Sequence, residues 1–233
     1  MAKAKTYDEV VIRIRPMDEK IQVEEKIDGI VSVKNITTTD LVECFQNSIK
    51  EDKRYESGFL PDNCLSFSQS STTRTLVLWH PHLSVDYTYH KTTYENFPLP
   101  RMVFGFDLTN TGRIVGSRVA VVADEKPKPS TQLYLFPFSN VYNDGNICIG
   151  AANSLPAYKN LWTLSGLPHH ILGLPNNDHN YDRTDNKLRL GYRELLDHLQ
   201  DKDPAYYYEH VLMERKGKTL QHFLERDLGG RHG

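Results

Sequence analysis

Asn140 and Cys148 stand eight residues apart in the stretch FSNVYNDGNICIG, with Asn143, Asp144 and Gly145 between them. Asparagine, aspartate and glycine tolerate the left-handed backbone that a tight turn needs. A turn there brings the two flanking residues together. Cysteine is well suited to carry an acyl group: its thiolate is a strong nucleophile, and its thioester stays reactive toward amines. For that work Cys148 has to be exposed and partly ionised. The alternative is a buried cysteine closing a β-hairpin. Asn140 can donate a side-chain N–H to an oxyanion, a contact typically worth about 2.7–4 kcal/mol. It can equally serve as a turn residue that holds the loop in shape.

Two other chemistries use the same region. His169 and His170 could complete a cysteine–histidine hydrolase with Cys148, or a metal site with His179. Adjacent histidines do not readily chelate one metal from a rigid helix face. The cysteine also precedes the histidines without a nucleophile motif. A loop or structural role is therefore expected for the pair, with no metal and no cofactor. Asp178, Asp182 and Asp185 are the acidic residues nearby in sequence, and nothing selects one of them to assist an incoming amine.

The elements that must position these residues can be read from periodicity. Val10 to Arg15 alternates, with Val10, Ile12 and Ile14 on one expected half-buried face. Ile21 and Val23 suggest a second strand, and Asp28-Gly29 a hairpin turn into Ile30 to Val33. A helix follows, with capping-box spacing at Asp40 and Glu43 and a stripe of Leu41, Phe45 and Ile49. Cys44 beside the stripe is expected in the core. The charged run Lys50 to Arg54 reads as a solvated helix end. Cys64 and the polar residues Ser66 to Thr73 read as loop.

From Arg74 the chain reads as an antiparallel meander. Its strands lie at Thr75 to His80, Val85 to Tyr89, around Phe104, Ile114 to Val122 and Leu133 to Phe136, with a turn at Thr109 to Gly112. Beyond Cys148 a short helix starts near Pro156 and is ended by Gly166 and Pro168. The stretch Gly173 to Asn186 is a polar loop. Leu188, Tyr192, Leu195 and Leu199 recur at helical spacing. Tyr206 to Leu212 and the segment around Leu220, Phe223 and Leu224 also read as helical. The expected organisation is an N-terminal β extension over residues 1–36 and a main domain over 37–233 with a helical C-terminus.

Composition sets the class. With 233 residues, 39% hydrophobic and 25% charged, the chain can bury a globular core. A net charge of -2 gives no electrostatic case for nucleic acid or an anionic membrane. No apolar run reaches the length of a transmembrane helix. The basic start runs into Asp8 and Glu9 rather than an apolar core, so it does not read as a signal peptide. Three cysteines without paired spacing argue against a disulfide framework, and a reducing cytoplasm is the default. Leu228-Gly229-Gly230 at the tail and the tyrosine run Tyr206 to Tyr208 carry no separate functional reading.

The run Val141 to Cys148, with Asn140 eight residues before the cysteine, resembles the active-site loop of ubiquitin-conjugating enzymes. There the asparagine belongs to a His-Pro-Asn motif; here the triplet is Phe138-Ser139-Asn140, and only the asparagine is kept. Pro98 to Phe104, Pro127 to Asn140 and Gly145 to Gly150 resemble prokaryotic E2 family D, which takes in the PRTRC system B proteins. The resemblance spans roughly Leu76 to His170. It implies an α+β ubiquitin-conjugating-enzyme-like fold, an antiparallel meander flanked by helices, with the N-terminal hairpins outside it. It implies an E2-like carrier with Cys148 as nucleophile and Asn140 as its partner. Its partners would be a ubiquitin-like protein, a ThiF/E1-like activating enzyme and an associated metallopeptidase, in a bacterial conjugation pathway linked to antiphage defence. An inert adaptor of the same fold and a thiol hydrolase are the competing readings.

Overall fold

The structure, a computed structural model, describes residues 9–15, 18, 20–27, 29–48, 56–150 and 155–228. It divides into two compact units, residues 1–55 and 56–233. In the first, β1 (Glu9–Arg13), β2 (Ile21–Ile27) and β3 (Ile30–Ile36) form an antiparallel sheet in that order. The register sets Ile12 opposite Val23 and Ile21 opposite Ile36. Gly29, at φ +77°, turns the chain between β2 and β3; its predicted partner Asp28 lies outside the described residues. Ile21 and Val23 are buried, but Val10 is 50% and Ile14 66% exposed, so the face expected to be half-buried is mostly open.

Helix α1 spans Thr38–Ser48. Its cap, Thr37, lies one helical turn earlier than the Asp40–Glu43 spacing suggested. Thr37 donates its backbone N–H (2.8 Å) and hydroxyl (2.7 Å) to the Asp40 carboxylate, and the Asp40 N–H returns to the Thr37 hydroxyl at 3.1 Å. These bonds hold the Asp40 carboxyl below its ordinary value, the backbone bond contributing most. Threonine is the better cap, and the acid belongs at the third helical position. Cys44 is exposed rather than in the core, and Phe45 is half exposed. Ile49 and the charged run after it lie outside the described residues.

The second unit is built on an antiparallel sheet ordered β11-β10-β9-β8-β5-β4. Its strands are β4 (Cys64–Gln69), β5 (Thr73–His80), β8 (Met102–Thr109), β9 (Ile114–Val122), β10 (Gln132–Tyr134) and β11 (Glu214–Thr219). Between β5 and β8 the chain leaves the sheet as a hairpin of its own, β6 (Leu83–Tyr89) with β7 (Thr92–Leu99). The meander is therefore interrupted once. Residues 64–69, expected as loop, are an edge strand in which Phe67 faces Leu76 and Ser68 faces Thr75. Serine-rich sequence suits an edge that meets solvent.

Both faces of the sheet are covered. Leu76, Leu78, Phe104, Phe106, Val119 and Val121 join one core, with α3 (Tyr192–Leu199) and the β6–β7 hairpin. Val77, Val103, Ala120 and Val122 join a second core beneath Leu220 and Phe223 of α4 (Leu220–Leu224). Burial on both sides explains the unbroken apolar runs of β5, β8 and β9. Pro168, expected to end a helix, instead sits in the first turn of α2 (Leu167–Leu172), where its missing N–H costs nothing. A 3-10 turn, Leu161–Gly166, precedes it. The expected helix at 206–212 is a π-type turn, Tyr207–Val211. No described helix is long and apolar enough to cross a membrane.

Candidate active site

After β10 the chain is anchored by Phe138, 1% exposed and ringed by Tyr87, Phe97, Phe136 and Tyr207 at centroid distances of 5.3 to 6.1 Å. It then enters a tight hairpin. The Cys148 N–H donates to the Asn140 carbonyl at 2.7 Å, Val141 and Ile147 form an antiparallel bridge, and the Tyr142 N–H donates to the Asn146 carbonyl at 2.8 Å. Gly145, at φ +86°, closes the turn. A Cβ there would stand 2.9 Å from Leu228 Cδ1 and 3.2 Å from the Val119 carbonyl, so glycine is required twice over. The Asp144 carboxylate accepts from the Asn146 backbone (3.0 Å) and side chain (2.7 Å), an Asx turn that stiffens the tip.

The hairpin docks on the part of β9 that β10 does not cover. Val119 N–H donates to the Gly145 carbonyl (3.0 Å) and Ile147 N–H to the Ser117 carbonyl (2.9 Å). On the other side, Arg215 Nη1 joins the Asn143 carbonyl (3.1 Å) to that of Leu228 (3.0 Å). Asn140 and Cys148 are thus brought opposite one another by backbone pairing, as their spacing predicted.

The side chains divide differently from the sequence expectation. Asn140 lies at φ +61°, and its Nδ2 donates to Asn176 Oδ1 at 2.8 Å. Its backbone N–H donates to the His179 carbonyl at 2.8 Å. Where the resemblance expects histidine and proline, this turn is held by Ser139, Asn176 and His179. The Cys148 thiol is half-buried, and the exposed Tyr142 phenol is held above its ordinary value chiefly by its interaction with that thiol. The His179 ring stands edge-on to this phenol at 6.1 Å.

Cys148 opens on a cleft of about 40 Å³ lined by Asn140, Val119, Ile147, Ile171 and Asn176. A water molecule needs roughly 10–15 Å³ and small-molecule sites run to about 300–1,000 Å³, so this crevice holds solvent or a small group, not a metabolite. Any acyl donor has to reach the thiol from outside.

His169 and His170 are exposed on α2. The charge of His169 is felt at His80, a buried residue on β5. His179 is the histidine that belongs to the hairpin's surroundings. Among the described residues, no group of three His, Cys, Asp or Glu is placed to hold a metal ion. Asp178 accepts from the Tyr89 hydroxyl at 2.7 Å, Asp182 caps the turn Arg183–Asp185, and Asp185 is 2% exposed.

Sequence reasoning missed Asn176 and Tyr142. The signal for Tyr142 was present: in a hairpin, residues two apart share a face, so Tyr142 lies on the side of Asn140 and Cys148. Asn176 lies in an asparagine-rich loop with no local feature to mark it.

Comparison with curated proteins and with solved structures gives no match. A family model described as prokaryotic E2 family D matches residues 40–213, a span that includes the hairpin, the cleft and Asn176. On that match, covering well over half its length, the chain belongs to prokaryotic E2 family D.

Proposed function

We propose that the protein is an E2-like carrier with the ubiquitin-conjugating fold, and that Cys148 takes a ubiquitin-like modifier from a ThiF/E1-like activating enzyme. The Cys148 thiolate attacks the thioester on the activating enzyme. A new S–C bond forms as the enzyme's own thiolate leaves. An amine then attacks the carbonyl, the N–C bond forms, Cys148 leaves as thiolate, and the amine gives its proton to solvent or a nearby base. The observation that carries this reading is the half-buried thiol, paired through its backbone to Asn140 beside a cleft too small for a metabolite. That arrangement suits an acyl group delivered by a protein partner. A metallopeptidase that trims the modifier completes the proposed partner set.

The test is reconstitution. Purified modifier, activating enzyme and ATP are expected to give an adduct that a thiol reductant releases. Cys148→Ala abolishes it, while Cys44→Ala and Cys64→Ala do not. An adduct that persists in Cys148→Ala would sink the assignment. A second reading, an inert adaptor of the same family, draws on Asn140 having two structural reasons to be asparagine: its left-handed backbone and its bond to Asn176. Absence of any adduct in the wild type would favour it.

A further inference from the structure

Asn176 is 8% exposed and pinned through its backbone, donating to the Thr88 carbonyl at 2.7 Å and accepting from the His90 N–H at 2.9 Å. Its side chain has one orientation open to it. Nδ2 donates to the Leu174 carbonyl at 2.8 Å, so Oδ1 has to face the other way, toward Asn140 Nδ2 at 2.8 Å. Ser139 Oγ lies 3.4 Å from the same Oδ1 and 3.0 Å from the Tyr192 hydroxyl, which in turn meets the Tyr87 hydroxyl at 2.5 Å. These partners are buried, so the acceptor offered to Asn140 is rigid.

An asparagine amide has a donor end and an acceptor end of nearly the same shape. An acceptor fixed on one side dictates which end is which. We infer that Asn176 is the positioning residue for Asn140: it holds the Asn140 amide with Nδ2 toward the cleft wall, leaving the second N–H of that nitrogen available as a donor. Without Asn176 the amide turns, and its oxygen competes for the place where negative charge develops. The inference rests on the carrier reading for its functional consequence but not for its structural content.

Two measurements test it. In the unloaded protein, side-chain amide NMR of Asn140 is expected to show slow hydrogen exchange that Asn176→Ala accelerates. Unchanged exchange overturns the inference whether or not the protein carries a modifier. In single-turnover discharge of preloaded protein to an added amine, Asn140→Gly is expected to slow the step by about 10²-fold. Asn176→Ala is expected to slow it by about tenfold or more, since small misplacements of a catalytic group are costly. The double variant Asn140→Gly/Asn176→Ala discharges no more slowly than Asn140→Gly alone. Effects that multiply would mean Asn176 acts by another route and overturn the inference, as would wild-type discharge in either single variant. If Asn176→Ala does not fold, Asn176→Ser, which is neutral and too short to reach the Asn140 amide, takes its place with the same expected loss; wild-type discharge in it overturns the inference. A wild type that never loads defeats the carrier reading, and the exchange measurement still decides the placement of the amide.

Discussion

Asn140 shows how one residue can satisfy two demands at once. At φ +61° a non-glycine residue is uncommon, and asparagine is among the few that adopt this backbone readily. Alanine there costs about 1–2 kcal/mol, whatever its side chain fails to do. Asn140→Ala therefore mixes two losses, and Asn140→Gly separates them. If the amide acts mainly when the amine attacks, both variants should load Cys148 and discharge slowly, with Asn140→Gly folding more stably than Asn140→Ala because it loses only the bond to Asn176. If it mainly orders the loop, loading should fall in both. Rates of loading and of discharge, measured separately with melting temperature, distinguish the cases. Normal loading with normal discharge in Asn140→Gly would leave Cys148 without this partner. The Asn140–Cys148 pair was legible in the sequence because a hairpin turns a spacing into a contact. Asn176 was not, because its contact closes a long loop and depends on where β6 places Thr88.

At the scale of elements, the C-terminal segment braces the cysteine hairpin. Leu228 is 4% exposed and packs against Gly145, and Arg215 joins the Asn143 and Leu228 carbonyls. Ending the chain before Leu228 should cost about 1.5–3 kcal/mol of stability, the range for burying a leucine side chain. That appears as a melting temperature lower by several degrees, and an unchanged value would refute the packing. A second corner is sensitive to acid. His80, at the end of β5, meets Asn63 Nδ2 at 3.0 Å, and the same nitrogen donates to the Trp79 carbonyl at 2.8 Å. The imidazole nitrogen facing Asn63 is therefore an acceptor, and the ring is neutral. Burial first, then the charge of His169, push His80 down to about 4. The unfolded value is near 6.5, so this contribution is fully present above pH 6.5 and is lost as pH falls toward 4. It amounts to at most about 3 kcal/mol. His80→Gln should flatten the acid side of a melting-temperature profile between those limits; parallel profiles would refute the assignment. Strands β8 and β9 and helix α3 were readable because a buried face imposes its period on the sequence. Strands β4, β7 and β11 were not. Their serines, Glu95-Asn96, and Lys216-Gly217-Lys218 reflect solvent, while the partners that make them strands lie far along the chain.

For the whole molecule, the question is where the functional domain begins. Sequence reasoning places the boundary after residue 36, compactness places it after residue 55, and the family match starts at residue 40. Both apolar cores of the second unit draw their residues from Leu60 to Leu228. A fragment of residues 56–233 thus keeps every described residue of those cores and is expected to fold alone, melting cooperatively within a few degrees of the full chain. Residues 40–55 belong to the family pattern without supplying a side chain to either core among the described residues. Under the carrier function proposed above, contact with a partner is the role to test for this segment. Fragment 37–233 should then accept the modifier faster than fragment 56–233, with both equally folded by circular dichroism. Equal loading would place residues 37–55 outside the carrier function. A 56–233 fragment without a cooperative transition would show instead that the second unit depends on the first, and would move the domain boundary back toward residue 36.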